Sequence, residues 1–299
     1  MIENLYIEKR IINSVKVKKI ISKVNAENIV ECDTYRQIFN VKNQSFILQK
    51  KKPSMILAEK TSNLVLRTPE NFCLDSKNNY YFSHMLNCIF DCNYCFLQGM
   101  YRSANYVIFT NFNSFMNEIK RIAKNHKNES VYFFSGYDCD SLALENITNF
   151  AENFIPFFNK IENAYLELRT KSININQILN FKPSNKIILA WSLNPKEIVY
   201  EYENKTPSLK KRLETIKKLQ QIGWPIGLRF DPIIFHKKFE NVYSRFFSEI
   251  FSFLDSDKIH SVTIGTLRFP KNFFKSIKEI GDKRLFSFLE FDGKLYNYE

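Results

Sequence analysis

The sequence predicts an α/β protein. A partial (βα)6 barrel spans residues 80–280, an N-terminal α/β extension spans 1–79, and a short C-terminal hairpin spans 281–299. Three observations carry this reading. From Tyr80 onward, six short apolar runs alternate with longer amphipathic stretches, a pattern that folds as parallel strands joined by right-handed crossovers. Each run gives way at once to polar residues, as strands do where they open onto a ligand site. Three of the six cysteines, Cys88, Cys92 and Cys95, fall in the loop that follows the first run.

In the extension, residues 4–8 read as a strand, and Ile11, Ile12, Val15, Ile20, Ile21 and Val24 form an imperfect helical stripe. Residues 49–52 (QKKK) precede Pro53 and read as a solvated basic turn. In the barrel, residues 80–83 form the first strand. Asn113 caps a helix carrying Phe115, Ile119 and Ile122. Residues 131–134 (VYFF) are the second strand, and Leu142, Leu144, Ile147, Phe150 and Phe154 mark the next helix. Residues 164–169 and 187–191 are the third and fourth strands. Thr206 caps a helix with Pro207 at its first position and Gly223 at its end. Residues 226–230 and 261–266 are the fifth and sixth strands, with helices over 242–254 and 273–280. Asp292-Gly293 reads as a type I′ turn closing the final hairpin. No G-x-G-x-x-G or Walker A loop is present, and the strand count leaves an open doubly wound sheet or an incomplete barrel.

Composition narrows the class. With 44% hydrophobic residues, 29 Phe and 15 Tyr, a substantial core is available, and 7 Gly with 9 Pro argue against a fibrous or disordered chain. No apolar run reaches membrane-spanning length, and residues 1–10 lack a signal-peptide core. Dispersed cysteines suit a reducing compartment, so the expected location is the cytoplasm. The net charge of +12 favours a polyanionic partner such as nucleic acid, although lysine also rises in chains from AT-rich genomes. Oligomeric state is left open.

The cysteines are spaced C-x3-C-x2-C, followed by no fourth nearby thiol. Short spacings of this kind hold iron–sulfur clusters. Three thiolates on a cubane leave one iron open, the pattern of radical S-adenosylmethionine enzymes, which also favours the partial barrel. Zinc is the alternative, with Cys92 and Cys95 as a half-site, but the downstream pair of a zinc ribbon is missing. His84 reads as structural. The strand-end rule adds residues 135–140, 170–171, 192–194, 229–231 and 266–268 as a shared polar pocket, with Arg229 and Arg268 read as internal ion-pair members.

The segments CIFDCNYCFLQ, GYDCDSLALENIT, LRTKS, WSLN, GWPIGLRFDPI and TIGTLRF occur in the order found in one family. The chain resembles the spore photoproduct lyase family of radical S-adenosylmethionine enzymes. The resemblance implies a 4Fe–4S cluster on Cys88, Cys92 and Cys95, and S-adenosylmethionine contacts from Lys171, Ser192 and Asn194, with Asp140 counted among them. It implies damaged DNA as substrate: a 5′-deoxyadenosyl radical takes hydrogen from C6 of a thymine–thymine photolesion, and hydrogen is later returned. An electron donor such as flavodoxin or ferredoxin is implied as a partner. Family members place a cysteine hydrogen donor in the loop after the second strand. Here that position holds Tyr137, with Cys139 two residues on, where the family has a serine. The tyrosine after the third cluster cysteine is Phe96 here, while Tyr94 remains. Tyr137, Cys139 and Tyr94 are therefore the expected participants in hydrogen return. The alternatives are a radical enzyme for another nucleic acid or a peptide, and a non-catalytic zinc-stabilised nucleic-acid-binding protein.

Overall fold

The computed structural model describes residues 2–69, 77–280 and 282–297; Cys73 lies outside them. Six parallel strands run side by side in chain order: Asn78–Phe82, Val131–Ser135, Ala164–Thr170, Ile187–Ser192, Ile226–Ile233 and Ile259–Thr266. Their order never reverses. A doubly wound sheet has a reversal at its switch point, so this winding is of the barrel type. Leu66–Arg67 adds a short antiparallel strand beside the first, and the last strand, Ile259–Thr266, ends the sheet on the other side.

Alternation along each strand divides the side chains between two environments. Phe133, Leu166, Leu168, Leu189, Trp191, Leu228 and Phe230 pack with helix residues such as Phe115, Phe154, Ile216 and Phe246 in one apolar core. Burying a side chain of this size contributes about 1.5–3 kcal/mol. The opposite face carries Glu167, Arg169, Arg229 and Thr263, which line a cavity. That division puts the chemistry on one side of the sheet and the stability on the other.

A second sheet has the order Ala26–Cys32, Ile2–Glu8, Met55–Ala58, Tyr106–Phe109, Met85–Leu86. Its last two strands come from beyond residue 79, so the N-terminal layer crosses the boundary expected there. The run 106–109 pairs in parallel with Met55–Ala58, a partner fifty residues away that no local pattern marks. Likewise Arg268–Pro270 pairs with Leu295–Asn297 and ties the C-terminal hairpin back to the barrel.

Several local expectations are corrected. Val15 is exposed, and Val17 and Ile20 are the buried members of its helix, Val15–Ile21. Residues expected as a basic turn lie mostly in the helix Phe46–Lys51. The helix Phe112–Asn125 starts before Asn113; Asn111 is its N-cap, and its side chain instead brackets the Lys60 backbone. The helix expected through 142–154 is two, Glu145–Thr148 and Phe150–Phe158, parted by Asn149 at φ 52°. Ser208, not Thr206, caps Leu209–Ile222, because the Thr206 hydroxyl is held by Glu203 and Arg212. Gly223 ends that helix at φ 104°, as expected. At the Asp292-Gly293 turn Gly293 takes a positive φ and Asp292 does not, so the turn is not type I′.

Candidate active site

The cysteine loop is pinned on three sides. Asn87, at φ 64°, donates from Nδ2 to the carbonyls of Ser103 and Asn105 at 2.7 and 2.8 Å. Asp91–Cys92 pairs antiparallel with Glu203–Asn204. Gln98 donates to Asp91 and to the Cys92 carbonyl, and Lys50 closes the circle with an ion pair to Asp91 at 2.6 Å. Lys50 thus has a structural partner, which the solvated-turn reading missed. Cys92 is buried and Cys88 and Cys95 are partly exposed; all three are free thiols. The Phe90 amide donates to Cys88 Sγ at 3.4 Å. Among the described residues no three His, Cys, Asp or Glu side chains gather around a single-ion position.

Across from this loop, at the ends of the third and fourth strands, stand Lys171, Ser192 and Asn194. Lys171 Nζ lies 5.5 Å from the Tyr94 ring centroid. Burial works against its charge, yet Cys92 and Glu203 outweigh that and hold its pKa above the ordinary lysine value. The Asn194 amide donates to Tyr94 Oη and to Glu203, both at 3.2 Å, while its Oδ1 is buried with no hydrogen-bond partner. An orphaned buried acceptor costs free energy unless something donates to it; the ammonium of S-adenosylmethionine is such a donor, and Lys171 is a match for its carboxylate. The residues present therefore fit the cofactor. Asp140, expected among these contacts, spends both oxygens on the protein. Oδ1 accepts from the Leu142 and Ala143 amides and the Thr170 hydroxyl, and Oδ2 from the Lys171 amide at 2.6 Å. Its work is to lock the second strand-end loop onto the third.

Behind these groups lies a buried network that the sequence reading missed. Arg212 and Glu203 form an ion pair with both side chains fully buried. Glu203 also accepts from Tyr94 Oη, and Arg212 donates to the Ser192 carbonyl at 3.2 Å. Burial opposes the Glu203 charge, but Arg212 and Lys171 prevail and hold its pKa low. Tyr94 is thus committed to Glu203 and Asn194.

The loop after the second strand turns at Gly136, φ 88°, where a Cβ would stand 2.7 Å from Ser141 Oγ and 3.0 Å from the Arg169 carbonyl. Only glycine fits there. Tyr137 faces the cavity on the inner side of the sheet, which it lines with Tyr81, Glu167, Arg169, Arg229 and Arg268. Its ring centroid is 4.5 Å from that of Tyr81 and 5.5 Å from that of Phe96. Cys139 lies elsewhere, in an apolar cluster on the N-terminal sheet with Leu5, Met85, Ile108 and Leu144. Its Sγ is 4.0 Å from His84 Nδ1, and burial pushes its thiol pKa well above the ordinary value. His84 itself is buried and stacked on Phe150 at 3.8 Å, a structural residue as expected.

The cavity floor is ionic. Arg229 donates to both Glu167 oxygens, at 2.7 and 3.2 Å, and Arg169 Nε donates to the same carboxylate at 3.2 Å. Arg268 and Asp231 make a partly exposed pair at 3.0 Å. Arg229 and Arg268 are internal ion-pair members, as expected. Gly265 makes room for the second pair, since a Cβ there would lie 2.6 Å from Arg268 Nη1. Glu167 and Arg169 were not anticipated. A signal existed: they sit two apart in an otherwise apolar strand, and so share its inner face.

Fold and cysteine loop together define the radical S-adenosylmethionine class. The family model for spore photoproduct lyase matches residues 1–294, and the chain belongs to that family. It is 24% identical over 197 residues to the spore photoproduct lyase of Bacillus subtilis (strain 168), a match covering 66% of this chain and 57% of that protein. It is 22% identical over 166 residues to that of Clostridium acetobutylicum, covering 55% and 49%. These matches span about half the length of the curated relatives. Among solved structures, a spore photoproduct lyase mutant with bound AdoMet and dinucleoside spore photoproduct superimposes with a TM-score of 0.83 at 16% identity. The complex of spore photoproduct lyase with the dinucleoside alone gives 0.83 at 17%. Each covers all of this chain and 91% of the other. No described helix is long and apolar enough to cross a membrane.

Proposed function

We propose that this chain is a radical S-adenosylmethionine enzyme that repairs a thymine–thymine photolesion in DNA. The observation that carries the reading is the juxtaposition of Cys88, Cys92 and Cys95 with Lys171, Ser192 and Asn194. In this reading the three thiolates hold a 4Fe–4S cluster, Lys171 meets the cofactor carboxylate, Asn194 Oδ1 accepts from its ammonium, and the Ser192 hydroxyl meets a ribose or carboxylate oxygen. Cluster and cofactor, when bound, supply a 5′-deoxyadenosyl radical able to take hydrogen from C6 of the lesion. Tyr81, Tyr137 and Phe96 offer flat rings to bases lifted out of the stack. Tyr137 then returns a hydrogen atom from its hydroxyl, whose O–H bond is comparable in strength to a thiol S–H; this leaves a tyrosyl radical on Tyr137, which must regain a hydrogen atom, through Tyr94 or the cofactor, before the next turnover. The net charge of +12 supports DNA as the partner, and a cytoplasmic electron donor completes the requirement.

The test is anaerobic reconstitution followed by an assay for 5′-deoxyadenosine, with and without UV-irradiated DNA. Release stimulated by irradiated DNA is expected, and the Cys88→Ala, Cys92→Ala, Cys95→Ala triple variant should incorporate neither iron nor sulfide. Zinc without acid-labile sulfide in anaerobically purified protein would overturn the reading.

A further inference from the structure

Two arginines on the cavity floor share one carboxylate, and they are not equivalent. Arg229 spends all five of its N–H donors on the protein: two on the Glu167 oxygens, two on the carbonyls of Leu228 and Ser261, and one on the Ser261 hydroxyl. Arg169 gives only its Nε–H, to Glu167 at 3.2 Å. Its Nη donors have no partner among the described residues, although its side chain is only 32% exposed. Both arginines line the cavity of about 320 Å³ that holds Tyr81 and Tyr137, and neither the cluster cysteines nor Lys171, Ser192 and Asn194 line it. We propose that Arg169 and Thr263 form an anion subsite for the phosphodiester that joins the two thymines of the lesion. The proposal rests on the DNA-repair reading above and names the group by which that substrate is held.

Charge decides the class of ligand. Burial opposes ionisation of Glu167, but Arg229 and Arg169 outweigh it and hold its pKa low. One carboxylate thus faces two guanidinium groups, and the cluster keeps one uncompensated positive charge. The other pair in the cavity, Arg268 with Asp231, is neutral as a unit. A partly buried charge without a counter-ion is costly, and an anionic ligand removes that cost. Thymine is neutral at pH 7, so the phosphodiester is the anion that a thymine–thymine lesion brings. Geometry agrees. Glu167 holds the Arg169 guanidinium by its Nε–H, which leaves the Nη edge as a fork for two phosphate oxygens. Thr263 Oγ1 is buried with no hydrogen-bond partner and belongs to the same cavity, where its hydroxyl is a further donor for a phosphate oxygen. Strand order and register put Arg169 and Thr263 on either side of the locked Arg229. A phosphate bound there leaves the rings of Tyr81 and Tyr137 for the attached bases.

The test is equilibrium binding by the whole chain, reconstituted anaerobically and measured by calorimetry without added S-adenosylmethionine. The probes are a pair of lesion dinucleotides, one with the natural phosphodiester and one with a neutral methylphosphonate in its place. The wild type should bind the phosphodiester about tenfold more tightly, as expected of charge-assisted hydrogen bonds. Arg169→Gln leaves Glu167 paired with Arg229; it should cut that preference to about twofold or less, with affinity for the methylphosphonate retained. Thr263→Val should cut the preference about threefold. A phosphodiester preference that survives Arg169→Gln, or an equal loss of affinity for both probes, would overturn the proposal. Because the first comparison uses the wild type alone, misfolding of a variant cannot mask it. A wild type that binds both probes equally would overturn the subsite alone, whereas one that binds neither would overturn the DNA-repair reading with it.

Discussion

Tyr137 and Cys139 sit two residues apart on one loop and belong to different compartments. On the Tyr137 side lies a polar cavity floored by Glu167, Arg169 and Arg229 and walled by aromatic rings. On the Cys139 side lies an apolar core where the N-terminal sheet meets the barrel, with His84 buried beside it. The lesson is that proximity in sequence to a family position says little about proximity to the substrate. The thiol is chemically the better hydrogen donor, but it is packed away among Leu5, Met85 and Leu144. The phenol faces the cavity, where the proposed function puts a base. The two compartments should also respond differently to perturbation.

The largest effect is expected at the cavity floor. Arg229→Met leaves the Glu167 carboxylate buried with only the half-exposed Arg169 beside it, and should destabilise the fold by about 3–5 kcal/mol, measured by chemical denaturation. A loss below about 1 kcal/mol would mean that the floor is wetter than the packing indicates.

On the core side, pH is the probe. Burial, with a smaller contribution from Lys16, lowers the His84 pKa from 6.5 to about 3. The folded state therefore keeps His84 neutral while the unfolded chain protonates it below pH 6.5. The unfolded state binds more protons in that window, so stability falls as pH drops from 6.5 toward 3, by up to about 1.4 kcal/mol per pH unit. His84→Phe should flatten that part of the stability profile, and an unchanged slope would show His84 already protonated or exposed in the fold.

Smaller effects follow. Cys139→Ala removes one buried sulfur and should cost about 1 kcal/mol without altering products. Arg268→Ala breaks a partly exposed pair and should cost about 1 kcal/mol or less. Tyr137→Phe, at a half-exposed cavity wall, should shift stability by less than about 0.5 kcal/mol. A large destabilisation by Tyr137→Phe would place its hydroxyl in the packing rather than in the cavity.

What the sequence made legible was local. The C-x3-C-x2-C spacing, the six strand–helix repeats and the polar residues at strand ends are all contained in short windows, and the barrel strands lie where the pattern puts them. What it hid was long-range. Tyr106–Phe109 is a strand that the sequence reading did not anticipate, its partner, Met55–Ala58, being fifty residues away. Arg212 reads as one more charge on an amphipathic helix, yet it is fully buried against Glu203. Asp140 looks like a ligand from its place in the loop, whereas its oxygens are taken by Thr170 and the Lys171 backbone. That Cys139 is packed apart from the cavity of Tyr137 is set by the loop's conformation, which no residue spacing reveals.

The most direct test compares products from two variants of the reconstituted enzyme acting on the photolesion, Tyr137→Phe and Cys139→Ala. Both should still release 5′-deoxyadenosine. With Tyr137→Phe, repaired thymine should fall and trapped side products should accumulate; with Cys139→Ala, the normal product should form at the normal rate. Normal repair by Tyr137→Phe together with side products from Cys139→Ala would contradict the account and return the hydrogen donor to the thiol.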